Sequence, residues 1–430
     1  MQTVQQLVNG ELIGAKKVQL AFGLTQFPME LFNLKDTLEY LDLSDNNLSE
    51  LPSNFGDFTK LKIAFFSNNQ FTELPKVLAE CPNLTMIGFR GNKISNFTED
   101  ALPLKTQWLI LTDNKIDEIP KSIGKCTLLQ KMAIAGNNIK ILPNEMANCI
   151  NLELLRISAN KLENLPKWLV SLPKLSWLAF SGNPCSNSIE DVNSLQKIDW
   201  SQLEIIEQLG EGASGVISKA KWNSAVLKEV AVKIFKGEVT SDGYPIDELK
   251  NSILSGSHLN LIPIIGEIVN HSDAKNGLVM ELISTDYQNL GNPPNFETCT
   301  RDVFSDNVRF SFSQISTIAK SIASAAKHLH EIAMLHGDLY AHNTMINGDG
   351  NALLGDFGAS TCYDKNWEIA TLLERLDVRA FGCLLEDLLD RSEDNSSVEV
   401  IKLIDLKNKC FSNEVESRPS FTAICLELEK

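Results

Sequence analysis

No stretch of this 430-residue chain reaches the roughly 18 consecutive apolar residues that a membrane-spanning helix requires. Its first residues, MQTVQQLVNGELIGAKK, lack the continuous apolar core of a secretory signal. The two absences lead to the expectation of a cytoplasmic protein with no membrane partner. Positive charge is also scarce: 39 Lys and Arg stand against 55 Asp and Glu, a formal charge of −16. A polyanion would be repelled by such a surface on average, so no nucleic-acid partner is expected. The nine cysteines are odd in number and scattered through both halves. Cys81, Cys126 and Cys149 recur at one position of a repeated pattern, where a small thiol packs well, and are read as reduced core residues. The remaining composition, 43% hydrophobic and 22% charged, is that of a globular chain of about two or three domains. The expected partner is a protein.

The first half repeats itself. Asn46, Asn69, Asn92, Asn114, Asn137, Asn160 and Asn183 follow one another at intervals of 22 or 23 residues, the mark of a solenoid. Around each asparagine stands the pattern L-x-x-L-x-L-x-x-N-x-L-x-x-L-P, as in LEYLDLSDNNLSELP from Leu38 to Pro52. The pattern resembles the leucine-rich-repeat family, which implies an α/β solenoid. A short strand places Leu38, Leu41 and Leu43 inside the coil, and the Asn46 amide is available to backbone groups where the chain turns away. VQLAFGLTQFP keeps Leu24 and Pro28 but has Phe22 at the asparagine position, as expected of a cap, and LSWLAFSGNPCS breaks into Pro184. About eight repeats, caps included, are therefore expected over 1–186.

Residues between the core leucines project from the strands onto the concave face. One row reads Tyr40, Ile63, Met86, Trp108, Lys131, Leu154 and Trp177; the next reads Asp42, Phe65, Gly88, Ile110, Ala133, Arg156 and Ala179. Large apolar side chains on such a face mark a contact surface. Tyr40, Phe65, Trp108 and Trp177 are the expected anchors for a protein partner, with docking onto the chain's own second domain as the alternative.

A polar connection is expected over 187–202, and a second domain over 203–430. Gly210, Gly212 and Gly215 form G-x-G-x-x-G between β-rich segments, followed by Ile217. Glycines let a backbone close over phosphates without a Cβ in the way. Eighteen residues after Gly215, VAVK ends an apolar segment on Lys233, a cation that needs an anion there. Glu248 in IDELKNSILSGSH is the first choice for its carboxylate, with Asp247 as the competitor. Residues 335–343 read LHGDLYAHN and residues 354–358 read LGDFG.

In that order the four motifs resemble the eukaryotic-type protein kinase family, from about Leu203 to the end. The resemblance implies an α+β bilobal fold, ATP and Mg²⁺. By it, Lys233 grips the ATP phosphates and is held by Glu248; Asp338 is the base for the acceptor hydroxyl; Asn343 and Asp356 are metal ligands. Leu209, Gly210, Gly212, Gly215, Ile217, Ala231, Met280, Glu281 and Ile283 would surround the nucleotide, Met280 as gatekeeper. Asp377 would brace the catalytic loop, His336 and Phe357 would stack, and Arg418 would lie near the end of the fold.

Three departures from the family pattern bear on regulation. Gly337 replaces the arginine of His-Arg-Asp, removing the cation that pairs with a phosphorylated activation loop. Tyr340 stands where a lysine is usual, with His342 as a substitute cation. Only 21 residues separate Asp356 from Asp377, and no Ala-Pro-Glu lies between, although Glu368 is available to Arg418. The expectation is a protein kinase acting on serine or threonine of a protein recruited by the repeats. The rival is a nucleotide-binding, pseudokinase-like scaffold.

Overall fold

The computed structural model describes residues 2–186, 196–212, 214–224, 227–237, 239–394 and 396–430. They form two compact units: Met1–Lys174 with Asn183–Cys185, and Leu175–Gly182 with Ser186–Lys430.

The first unit opens on α1 (Val4–Val8), whose Thr3 and Gln6 cap each other's backbone amides and bury Leu7. Seven short parallel strands follow: β1 (Lys17–Gln19), β2 (Tyr40–Asp42), β3 (Ile63–Phe65), β4 (Met86–Gly88), β5 (Trp108–Ile110), β6 (Lys131–Ala133) and β7 (Leu154–Arg156). The short helix α2 (Lys167–Val170) buries Leu169 and Val170 beyond them. The register sets Tyr40 opposite Ile63, then Met86, Trp108, Lys131 and Leu154, which is the expected row.

Each coil is closed by its asparagine. Asn69 Nδ2 donates to Leu43 O at 2.9 Å and its Oδ1 accepts from Leu48 N at 2.8 Å. Asn114 repeats this with Phe89 O at 2.9 Å and Ile94 N at 3.0 Å, and Asn183 with Ile157 O and Leu162 N. The side chain thus serves an amide donor that would otherwise be buried unpaired and shares a carbonyl with the asparagine of the preceding coil. Behind the ladder, Phe55, Phe58, Phe66, Phe71 and Phe89 are fully buried ring on ring. Cys81, Cys126 and Cys149 are free and buried as expected, and burial pushes the Cys81 thiol up to about 12.

The second unit begins with β8 (Trp177–Ala179). Its six-stranded sheet runs in the order β10 (Leu203–Glu211), β11 (Gly215–Asn223), β12 (Leu227–Phe235), β14 (Gly277–Glu281), β13 (Ile264–Val269), β9 (Gln196–Asp199). All pairs are antiparallel except β9 with β13. Of the polar connection expected over 187–202, residues 187–195 lie outside the described residues, while 196–199 form this edge strand. Ile198 is the reason: fully buried, it packs with Leu203, Trp222, Val230 and Ile268. Gly266 admits the strand, since a Cβ there would stand 2.4 Å from Gln196 O.

Helix α3 (Pro245–Leu254) packs Leu249 and Ile253 against Phe235 and Leu278 under this sheet. The remainder is mainly helical. Helix α4 (Phe312–Glu331) starts on a Ser311–Gln314 capping box and buries Ile315, Ile318, Ala319 and Ile322 at helical spacing. Helix α5 (Ala370–Leu389) is buried on nearly every side, and α6 (Val398–Cys410) and α7 (Phe421–Leu428) close the chain. Short strands β15 (Gln288–Asn289), β16 (Met334–Leu335), β17 (Thr344–Ile346), β18 (Ala352–Leu354) and β19 (Thr361–Cys362) carry the loops of the site. Among the described residues no helix is long and apolar enough to cross a membrane.

Candidate active site

The hairpin of β10 and β11 carries the glycine triplet over a cleft of about 540 Å³. Leu209, Gly210, Ile217, Ala231, Lys233, Met280, Glu281 and Ile283 line it. Gly212 and Gly215 line an adjoining cavity of about 130 Å³ with Lys233, Glu248 and Asp356. A Cβ on Gly210 or Gly212 would meet nothing within 4 Å, so the turn leaves open space beneath it. Gly215 is different: a Cβ there would stand 2.6 Å from Ile234 O, so glycine is what lets β11 lie against β12. Apolar walls around a buried cation suit a planar base that carries phosphates.

Lys233 projects from β12 and is bonded to the Glu248 carboxylate on the first turn of α3. Asp247, the competing choice, makes no such bond. Burial pulls the Lys233 ammonium down, but Asp356 and Glu248 more than offset it, and its pKa lies above the usual lysine value. Burial pushes the Glu248 carboxyl up to about 7 against the attraction of Lys233.

The loop over residues 335–343 is bound to α5 through a fully buried carboxylate. Asp377 Oδ2 accepts from His336 N at 2.8 Å and faces His330 Nε2 at 3.0 Å, and its Oδ1 accepts from Gly337 N at 3.0 Å. The expected brace is in place. His336 also faces Gly355 O at 3.2 Å, and its ring lies 5.6 Å from that of Phe357.

Asn343 Nδ2 donates to Asp338 Oδ2 at 2.8 Å and to Asp338 O at 2.9 Å, orienting the carboxylate. Gly355 N donates to Asn343 O at 3.0 Å, which sets Asn343 beside the Asp356 segment. Asp356 holds a left-handed backbone, φ 58°, with Oδ1 accepting from Gly358 N at 3.1 Å. Such a conformation in a non-glycine residue persists where the surroundings impose it. With its amide nitrogen committed to Asp338, Asn343 offers its carbonyl oxygen, a hard ligand like the Asp356 carboxylate; this donor pair fits Mg²⁺ shared with phosphates. Among the described residues no group of three or more His, Cys, Asp or Glu is placed to hold a metal ion.

His342 faces Asp302 Oδ1 through Nδ1 at 2.6 Å, and its amide donates to Asp302 Oδ2 at 3.1 Å. Burial pulls the imidazole down; the bond and charge of Asp302, then the charges of Asp338 and Asp356, more than offset this and leave it raised. Asp302 had no motif signal, lying forty residues upstream in a loop. Tyr340 is buried and donates to Thr300 O at 2.9 Å.

The structure corrects the reading of Trp177. Expected on an open partner-binding row, it is 1% exposed and stacked on Tyr340, with ring centroids 4.3 Å apart and planes 7° from parallel. Trp108 is also more buried than expected, at 9%, with Lys131 Nζ over its ring at 4.1 Å; Tyr40 and Phe65 are half-buried and meet edge to face. In the activation segment, Ser360 and Thr361 are buried, and the Ser360 hydroxyl donates to His336 O at 3.0 Å. Tyr363 is buried as well and donates to Glu374 at 2.8 Å. Arg418 donates to Ser412 O and Arg375 O from the core.

The family described as protein tyrosine and serine/threonine kinase matches residues 203–379, and leucine-rich repeat matches residues 37–58. A "Probable serine/threonine-protein kinase" of Dictyostelium discoideum is 29% identical over 196 residues, 45% of this chain and 11% of that protein. Cyclin-dependent kinase 11.2 of Caenorhabditis elegans is 27% identical over 195 residues, 43% of this chain and 28% of that protein. Serine/threonine-protein kinase PITSLRE of Drosophila melanogaster is 28% identical over 166 residues, 38% of this chain and 16% of that protein. The chain thus spans less than a third of the length of each of these relatives.

Proposed function

We propose that this chain, a leucine-rich-repeat protein with a protein kinase domain, transfers the γ-phosphoryl group of ATP to a serine or threonine of a protein held by its repeats. The observation that carries the reading is the Lys233–Glu248 pair beneath the glycine hairpin together with the Asn343-oriented Asp338. The serine/threonine preference rests on the similar kinases of Dictyostelium discoideum and Drosophila melanogaster, both described as serine/threonine-protein kinases. The cytoplasm is the proposed location, and the domain limits proposed are 1–186 and 203–430, with residues 196–199 of the connection joining the second domain's sheet.

In this reading the adenine lies between Ala231, Ile217 and Leu209, with the backbone of Glu281 to Ile283 as its polar edge. Lys233 neutralises phosphate oxygens, and Glu248 keeps the ammonium in place. Mg²⁺, held by Asn343 and Asp356, would neutralise charge on the phosphates. Asp338 accepts the proton of the acceptor hydroxyl as its oxygen bonds to the γ-phosphorus. The bond from that phosphorus to the ADP oxygen breaks, and ADP leaves. His342 adds positive charge near the transferred group.

The test is transfer of label from γ-labelled ATP by the intact chain, compared with Asp338→Asn. The variant should bind a fluorescent ATP analogue as before and lose transfer by about 10²-fold or more. Full turnover in Asp338→Asn would overturn the assignment of the base. Nucleotide binding without any transfer by the unaltered chain would favour the scaffold reading, for which the buried Tyr340 at the usual lysine position is the supporting observation.

A further inference from the structure

The second unit contains a segment that the transfer reading leaves without a task, Leu175–Gly182. Three of its residues hold the loops of the site, and a fourth meets helix α5. The Trp177 ring stacks on Tyr340, and its Nε1 donates to Leu339 O at 3.2 Å. The carbonyl of Leu178 lies against Gly337: a Cβ at that glycine would stand 2.5 Å from Leu178 O and 2.8 Å from Ala359 O. Gly337 also adopts φ 72°, so two independent constraints demand glycine where the family has arginine. Phe180 N donates to Thr361 Oγ1 at 3.4 Å in the activation segment, and Arg379 of α5 donates to Ser176 Oγ at 3.2 Å. Beyond Tyr340 the stack continues to the His342 ring at 4.8 Å, and from there to Asp302.

We propose that Trp177 is a positioning residue: stacked on Tyr340, it holds residues 337–342 in their transfer-competent arrangement, in place of an arginine–phosphate pair. The inference rests on the kinase reading above for its effect on turnover. A plug that lifts off on activation is disfavoured by the packing. Trp177 and Tyr340 are 1% and 4% exposed, and the Leu178 carbonyl occupies space that any Cβ at position 337 would take. The same segment covers Thr361, so phosphate on that hydroxyl would have to displace it. An activation loop normally ordered by phosphorylation is here ordered by a strand of the same chain.

The test uses the full chain and two measurements. One is kcat and KM for ATP with dephosphorylated casein as the acceptor; the other is backbone hydrogen exchange over residues 335–343. Trp177→Ala should lower kcat by about 10- to 100-fold with KM for ATP within about twofold, because small displacements of reacting groups cost that much. It should also speed exchange in the loop. Trp177→Phe, which keeps a ring on Tyr340, should restore most of kcat. A rise of kcat in Trp177→Ala would mean an inhibitory plug and overturn the proposal, as would unchanged exchange. If the unaltered chain transfers nothing to any acceptor, the kinase reading fails, while the exchange experiment still decides whether Trp177 orders the loop. Should Trp177→Ala not fold, Tyr340→Leu removes the same stack from the other side, with the same outcomes for and against.

Discussion

Trp108 and Trp177 occupy the same position of the strand pattern, each the first residue of its strand, 69 residues or three repeats apart. In the first unit, Trp108 lies in a register row and takes Lys131 over its ring. In the second unit, Trp177 lies flat on Tyr340 and donates to the catalytic loop. A repeat position dictates which way a side chain leaves the coil. What it meets there is decided by residues far away in sequence, here 340 − 177 = 163 positions on. The asparagine ladder of the repeats reaches carbonyls 26 residues back, as Asn69 does with Leu43; the site depends on pairs such as Asp302–His342 and Thr361–Phe180, set 40 and 181 residues apart.

The contrast is broken most severely inside the cleft. Lys233→Met should reduce phosphotransfer by about 10²- to 10³-fold, or about 3–4 kcal/mol of transition-state stabilisation, while the repeats stay folded. Far-ultraviolet circular dichroism and label transfer, measured on the same preparation, check both halves of that statement.

The next largest effect is expected in the ladder. Asn114→Ala leaves Ile94 N without its side-chain partner in a buried position and takes one of two asparagine donors from Phe89 O and from Leu111 O, and should cost about 2–3 kcal/mol. A lowered urea midpoint reports it. A loss below about 0.5 kcal/mol would mean that the ladder is not what closes the coils.

Trp108→Ala should weaken capture of a protein partner by about 2 kcal/mol, as central aromatic anchors do, and leave transfer to dephosphorylated casein unchanged. A pull-down that is indifferent to Trp108→Ala would remove this row from the partner surface and sharpen the difference between the two tryptophans.

The smallest expected effect is one of pH. His342 has a folded pKa above its ordinary value of about 6.5, with Asp302, Asp338 and Asp356 outweighing burial. A raised value means that the folded state binds the proton more tightly than the unfolded chain. The pair's contribution is therefore complete below the ordinary value and is lost as pH rises through the raised one. Asp302→Asn should flatten the alkaline limb of the stability profile, read as the thermal midpoint against pH. An unaltered limb would place that titration elsewhere.

Much of this was legible before any coordinates. Asparagines at 22- or 23-residue spacing predict the ladder because one amide per coil is enough to serve the turning backbone. Gly215, Lys233, Glu248 and Asp377 were likewise legible, since each belongs to a short pattern whose geometry is local or familiar. The reading of 187–202 as connection did not see Ile198 entering the sheet edge, because a four-residue strand has too few side chains to announce itself. The reading of Trp177 as an outward anchor failed for another reason: every repeat offers the same outward position, and nothing in the repeat says which one is covered.

The sequence by itself determined the coil period, the register rows, the glycine hairpin and the order of the phosphotransfer motifs, because each depends on neighbours within one turn, one strand pair or one loop. It also marked Gly337 and Tyr340 as departures from the kinase pattern. Only the tertiary structure decided what those departures are for. The Leu178 carbonyl stands where a side chain at 337 would be, and Trp177 covers Tyr340 at 4.3 Å. Close packing between segments more than 150 residues apart is a property of how surfaces meet, and no local pattern of residues encodes it.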